Sequence, residues 1–128
     1  MANNYCESSS KLVIEDSKKL AKANKIIDRV SKKIEEREDY LGVVVDVEDG
    51  GVWFHYDESI TPEHVEEIAK ALIEELEINE PFYCSWSYTC SKPRIDEFGG
   101  GAFVIQRGKE TFWVDAMNTC KIHTDSSI

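Results

Sequence analysis

The chain has 128 residues, with 25 acidic and 15 basic side chains and a formal net charge of −10. This length suits one domain with its own hydrophobic core, and we expect a single domain over residues 1–117 followed by a polar tail over 118–128. No apolar run reaches the roughly 18 residues that a membrane span requires. The start has neither the basic nor the apolar region of a secretory signal, so a cytoplasmic protein is expected.

The charge is concentrated in the middle of the chain. Residues 41–80 hold twelve acidic side chains and one basic side chain, a net charge of −11. Direct binding to a nucleic-acid backbone is therefore not expected, because such binding depends on neutralising phosphate with basic side chains. An acidic middle could instead mimic nucleic acid in a partner's basic groove. An acidic, solvated surface that keeps the protein soluble is the favoured alternative.

The four cysteines do not predict a metal site. Cys90 and Cys120 together with His123 are the nearest to a ligand set, but their spacing lacks the paired ligands of a zinc site. Four reduced cysteines are the favoured interpretation, and no metal or cofactor is expected.

Residues 11–14 predict an opening strand, and a helix is expected to follow. Asp16 or Ser17 suits its N-cap. The apolar side chains that follow recur every three or four positions, as a helix with one buried face requires: Leu20, Ala23, Ile27, Val30 and Ile34.

A hairpin is expected next. Residues 41–48 alternate between apolar and polar side chains, which predicts a strand. Asp49-Gly50-Gly51 predicts the turn, because glycine readily adopts the positive φ of a tight hairpin. Residues 52–56 are expected to return as the second strand.

Thr61 and Pro62 predict the start of a second helix, with Thr61 as its N-cap and Pro62 at its first position. The expected buried stripe is Val65, Ile68, Leu72 and Leu76. The acidic side chains lie mostly outside this stripe and form an acidic outer face, our candidate partner-binding surface: Glu66, Glu67, Glu74 and Glu75.

Three further strands are predicted over residues 82–89, 102–107 and 111–115. The order β-α-β-β-α-β-β, with residues 111–115 as an additional strand, predicts an α+β two-layer sandwich with a mainly antiparallel sheet. We expect both helices on one face. The other face would be open to solvent, to a ligand or to a second subunit in a homodimer.

The connection between the first two of these strands is the candidate ligand site. Pro93 stiffens the chain between two cations, Lys92 and Arg94, which suit a phosphate or a carboxylate. Aromatic and glycine residues beside them offer stacking surfaces and close backbone approach: Trp86, Tyr88, Gly99, Gly100 and Gly101, with Trp53 as a further flat surface. Two alternatives stay open: the cations pair with Asp96 and Glu97, and the aromatic side chains belong to the core.

Catalysis has little support in the sequence. Lys92 follows Cys90 by two positions in the sequence, and a neighbouring lysine can lower the pKa of a thiol. However, the histidines show no known nucleophile–base spacing with it. A cysteine-dependent enzyme therefore ranks below a binding protein.

Three blocks of sequence carry a family resemblance: Ala2-Asn3-Asn4-Tyr5 with Ser8-Ser9, Glu48–Trp53 with Pro62–Val65, and Thr89-Cys90-Ser91-Lys92-Pro93-Arg94-Ile95-Asp96-Glu97-Phe98-Gly99-Gly100-Gly101-Ala102. Over most of residues 2–107 the chain resembles a family of small phage and prophage proteins. No activity comes with that family, so no catalytic role is carried over.

The resemblance implies a setting. Small acidic phage proteins without enzyme motifs are often inhibitors of host defence. The leading hypothesis is therefore a non-enzymatic inhibitor that binds a host defence protein. The alternatives are a protein that sequesters a nucleotide-like, phosphorylated small molecule through Lys92 and Arg94, and an enzyme that uses Cys90.

Overall fold

The structure, a computed structural model, describes residues 4–56, 60–90 and 99–115, with side chains described for 9–55, 60–87 and 100–114. Two helices and six strands occur in these ranges, in an order that confirms the predicted α+β fold. The elements are β1 (Asn4–Val13), α1 (Ser17–Glu38), β2 (Val44–Glu48), β3 (Gly51–Tyr56), α2 (Pro62–Glu75), β4 (Phe82–Cys90), β5 (Gly99–Ile105) and β6 (Phe112–Asp115).

The six strands form one antiparallel sheet in the order β2-β3-β1-β4-β5-β6. Its central strand, β1, is much longer than the predicted four residues. The first half of β1, from Asn4 to Glu7, pairs with β4, and the second half, from Ser8 to Val13, pairs with β3. The sheet therefore has two halves that are joined along a single strand.

Both helices cover the same face of the sheet, as expected. The α1 helix begins after Asp16, whose carboxylate accepts hydrogen bonds from the backbone N–H groups of Lys18 and Lys19 at 2.8 and 3.4 Å. The predicted apolar stripe of α1 is buried or half-buried. It packs with α2 against alternate residues of the strands, such as Phe54, Phe82 and Phe103. The opposite face of the sheet has no helix on it among the described residues.

Thr61 is the N-cap residue of α2, but its hydroxyl caps no helix N–H group. The prediction of a threonine cap is thus right in position and wrong in mechanism. Thr61 instead fastens the chain before β2: its backbone N–H donates to the Gly42 carbonyl at 2.7 Å. A β-carbon on Gly42 would lie 2.1 Å from the Thr61 hydroxyl oxygen, so only glycine fits this contact.

His64, in the first turn of α2, is a buried structural residue. Its side chain is 2% exposed, and its Nδ1 accepts a hydrogen bond from the Gly42 N–H at 2.9 Å. Its Nε2 lies 3.1 Å from Glu38 Oε2 at the end of α1. Since Nδ1 is the acceptor, the neutral ring carries its proton on Nε2, toward the carboxylate. His64 thereby ties together α1, α2 and the connection to β2.

Replacing His64 with leucine should lower the free energy of unfolding by about 1–3 kcal/mol, because the buried N–H of Gly42 would lose its acceptor. Urea unfolding followed by circular dichroism measures this change. Asn24→Leu, at an exposed position of α1, is the control, with an expected change within about 0.5 kcal/mol. Equal changes in the two variants would contradict the structural role of His64.

Candidate functional site

The predicted glycine motif is part of a strand, and its glycines have a packing role. Gly101, the third residue of β5, lies opposite Trp86 of β4. A β-carbon on Gly101 would lie 2.7 Å from the Trp86 ring and 2.5 Å from the Val114 carbonyl oxygen. A β-carbon on Gly100 would lie 2.5 Å from the Trp86 carbonyl oxygen. Gly101 therefore lets the Trp86 indole lie directly over the β5 backbone, whereas Gly100 lets the backbones of β5 and β4 approach each other closely.

Trp86 begins an aromatic cluster on the helix-covered side of the sheet. Its ring centroid lies 6.0 Å from that of Phe103 and 5.9 Å from that of Trp113, and the latter two are 4.9 Å apart. Trp86 is half-buried against the core, whereas Trp113, on the edge strand β6, is 41% exposed. The Trp86 Nε1 has no hydrogen-bond partner among the described residues. The cluster thus extends from the core to the surface, where Trp113 is accessible to another molecule.

A groove lies beside this cluster, between α2 and the turn from β5 to β6. Glu66 of α2 accepts a hydrogen bond from the Thr111 hydroxyl at 3.2 Å, and Glu74 accepts one from the Gly108 N–H at 2.7 Å. Partial burial raises the pKa of Glu66 above its ordinary value, against the opposing effects of the Thr111 hydrogen bond and of Lys70. The carboxylate of Glu66 would therefore gain from a further cation.

The other two acids of the predicted partner-binding face are paired with α1. Arg29 makes a two-pronged ion pair with Glu75, and its hydrogen bond is the main cause of the lowered pKa of Glu75. Arg37 donates to Glu67 at 2.9 Å. All four acids therefore have partners within the fold, and α2 does not present them as a row of unpaired charges. Their role in partner binding stays a prediction.

The uncovered face of the sheet carries exposed aromatic side chains. Tyr83 of β4, Val104 of β5 and Phe112 of β6 are direct neighbours across the three strands. Tyr83 is 68% exposed and Phe112 is 65% exposed. Large apolar groups in one exposed row are unusual on a free surface and typically mark a contact with another molecule.

The other half of this face combines internally bonded polar side chains with the exposed Val13 and Val44. Trp53 stacks on His55 with ring centroids 3.5 Å apart and donates from Nε1 to the Ser9 hydroxyl at 2.8 Å. His55 is 2.7 Å from an Asp46 oxygen, and Lys11 pairs with Glu48 at 3.6 Å. Trp53 is thus partly covered by its neighbours, and the apolar row of β4–β6 is the more accessible surface.

Several predicted site residues lie outside the described residues: Lys92 and Arg94, the alternative partners Asp96 and Glu97, and Cys120 and His123. Tyr88 and Gly99 lie in β4 and β5, but their side-chain surroundings are not described. Cys90 ends β4, likewise without a described side chain. The structure thus brings Trp86 and Gly101 together and places Trp86 against Trp113, which lines the groove that also contains Glu66 and Glu74. The role of Lys92 and Arg94 stays a prediction.

Sequence reasoning missed two residues at this edge, Phe112 and Trp113. The strand prediction over 111–115 was available, and alternation alone places these neighbours on opposite faces. What the sequence did not indicate is that β6 ends the sheet, where Phe112 and Trp113 stay exposed on opposite faces.

No family model, curated protein or solved structure matches the chain. No helix in the described part of the chain has both the length and the apolar character to cross a membrane. The same residues contain no cluster of three or more histidine, cysteine, aspartate or glutamate side chains placed to hold a metal ion. The structural support for a function of this chain therefore comes from the surfaces described above.

Gly101→Ala should lower the free energy of unfolding by about 1–3 kcal/mol, because the added methyl displaces Trp86 or spreads β5 from β6. The direction of the change is informative. At an unconstrained strand position, replacing glycine with alanine normally raises the free energy of unfolding, because it reduces the conformational entropy of the unfolded chain. Urea unfolding with tryptophan fluorescence measures both stability and ring environment. Ser87→Ala, at an exposed β4 position, is the control; a Gly101→Ala protein as stable as the parent would refute the packing role.

Glu66→Gln should be more stable than the parent at neutral pH. The raised pKa means that the folded form holds the carboxyl proton more tightly than the unfolded chain, so ionisation weakens folding as pH rises through that pKa. The advantage of glutamine should therefore disappear below about pH 4, where both chains carry a neutral side chain. Thermal unfolding across this range tests the sign, with Glu63→Gln at an exposed position as the control; a Glu66→Gln protein less stable at neutral pH contradicts it.

Proposed function

We propose that this chain is a non-catalytic binding protein that docks a protein partner on the uncovered face of β4, β5 and β6. The observation that supports this proposal is the row of Tyr83, Val104 and Phe112, with two aromatic side chains about two-thirds exposed. Aromatic anchors in an exposed row are typical of protein contacts, where they supply most of the binding energy.

The shape and charge of this surface favour a protein over the other ligands considered. A row across three paired strands is a broad surface, whereas small-molecule sites are concave and enclose most of their ligand. A single-stranded nucleic acid also needs a cationic path beside the aromatic rings. Here the cation at the centre of the face, Lys11, is paired with Glu48, and the chain carries a net charge of −10. The complementary partner surface is apolar at its centre and rich in lysine and arginine around it.

The biological setting of the proposal comes from the family resemblance. In that setting the chain acts in the cytoplasm of a bacterial host, and its partner is a host defence protein that it inhibits. A protein that sequesters a nucleotide-like signal remains the second candidate; in it Lys92 and Arg94 would bind the phosphate and Trp86 would stack on the base. Thermal-shift measurements with cyclic and linear nucleotides separate the two candidates.

Tyr83→Ser and Phe112→Ser should each weaken partner binding by about tenfold or more, since each removes a central aromatic anchor. The tagged chain is first used to isolate its partner from host cells, and binding of the purified partner is then measured by calorimetry. Ser87→Ala, on the same face but outside the row, is the matched control and should bind like the parent.

Both serine variants replace exposed side chains and should fold normally, which circular dichroism checks. Undiminished affinity in both variants would refute this docking surface. A large thermal shift with a nucleotide, together with no effect of the serine variants, would favour the second candidate.

A further inference from the structure

The sheet ends in two edge strands that differ in character. The strand β2 carries exposed Asp46 and Glu48 on the uncovered face, and charges on an edge discourage pairing with another chain. The strand β6 begins Phe112-Trp113-Val114 and has no charge in that segment. No strand pairs with the outer edge of β6 within residues 4–56, 60–90 and 99–115. The first three residues of this edge therefore lack the charges that discourage strand pairing, and its one charged residue, Asp115, stands at the end of the strand.

The backbone direction at this edge follows from the Gly101 contact. The Val114 carbonyl oxygen lies 2.5 Å from the position of a β-carbon on Gly101, so Val114 turns its polar backbone groups toward β5. Bonding direction alternates along an antiparallel strand. The backbone groups of Trp113 and Asp115 therefore point away from the sheet, where an added strand would bond to them.

The two faces of β6 offer different contacts to such a strand. On the uncovered face, Phe112 continues the apolar row of Val104 and Tyr83. On the helix-covered face, Trp113 and the half-buried carboxylate of Glu66 line the same groove. An exposed indole beside a carboxylate is a good environment for a lysine or arginine side chain, through cation–π attraction and ion pairing.

The charge of the groove also favours a lysine or arginine side chain. Its ionisable groups are the carboxylates of Glu66, Glu74 and Glu110 and the amines of Lys70 and Lys109. The Lys70 amine already donates to the Lys109 carbonyl and lies 3.7 Å from Glu74. Within the described part of the chain, Glu66 accepts a hydrogen bond from the Thr111 hydroxyl alone, and a cationic partner would offset the cost of its partial burial.

We propose that the free edge of β6 receives an extended segment of the partner protein as a seventh strand, and that this segment alternates basic and apolar residues. Its basic side chains enter the groove between Trp113 and Glu66, and its apolar side chains extend the row of Phe112 across the uncovered face. Main-chain hydrogen bonds give such an addition its affinity, and the alternating side chains give its specificity. This inference rests on the proposed function and specifies how the partner is held.

A second copy of this chain fits the edge less well. Pairing β6 with itself would bring the acidic groove of one copy next to that of the other, in a protein that already carries a charge of −10. Like charges across an interface oppose association. A basic segment from another protein removes this conflict.

The experiment uses the full chain and a fluorescein-labelled peptide, acetyl-Lys-Val-Lys-Val-Lys-Val-amide, with binding followed by fluorescence anisotropy. Binding should weaken about tenfold when the peptide carries Glu in place of Lys, and about tenfold when its pairing N–H groups are N-methylated. Asp115→Pro, which removes an outward N–H, should weaken binding about tenfold, whereas Asp115→Ala, which keeps that N–H, should not. Glu66→Gln should weaken binding about fivefold.

Equal binding of the N-methylated peptide would overturn strand addition, whether or not Asp115→Pro folds. Equal binding of the glutamate peptide would overturn the basic partner. If light scattering shows that the parent is a dimer and that Asp115→Pro is a monomer, the edge of β6 binds a second copy of this chain, and the inference is wrong. If Tyr83→Ser and Phe112→Ser abolish binding of the isolated partner while Asp115→Pro does not, the proposed function survives and this inference fails.

Discussion

The division of β1 between two pairing partners is the constraint on which the rest of the fold depends. Its first half hydrogen-bonds to β4 and its second half to β3. Without this strand, the β2–β3 hairpin and the β4–β5–β6 unit would share no backbone hydrogen bonds. The two helices contact different halves of the sheet: α1 contacts β2, and α2 contacts β5. The helices in turn are joined by His64 and by the Arg29–Glu75 and Arg37–Glu67 ion pairs.

Local sequence patterns predicted much of this architecture. The α1 stripe, the turn at Gly50 and the start of α2 at Pro62 are all governed by interactions within a few residues. The length of β1 could not be predicted in the same way. Residues 4–10 are polar or small, and they form a strand because two distant strands pair with them: β4 with residues 4–7, from about eighty residues further along the chain, and β3 with residues 8–10. Strand order likewise depends on contacts between distant segments.

The candidate site shows the same division between local and distant effects. Trp86 and the glycines were recognisable because their composition is unusual. Their packing role could not be predicted, because the contact between Trp86 and Gly101 exists only once β4 and β5 are paired. The acids of α2 were predicted as an outer face, yet Arg29 and Arg37 neutralise two of them from another helix. An acidic sequence segment therefore need not produce an equally acidic free surface, since cations from distant segments fold against it.

The close contact between Trp86 and Gly101 also bears on how this protein can diverge. An indole that occupies the space of its neighbour's missing β-carbon makes the two positions interdependent: a larger residue at 101 is tolerable only if the side chain at 86 shrinks. Homologous chains should therefore change these two positions together and rarely one alone. Because Gly101 also sits against the Val114 carbonyl of the edge strand, that joint change would shift β6 as well. Sequence changes at positions 86 and 101 would therefore alter the position of the edge strand β6, and with it the surface to which a partner would bind.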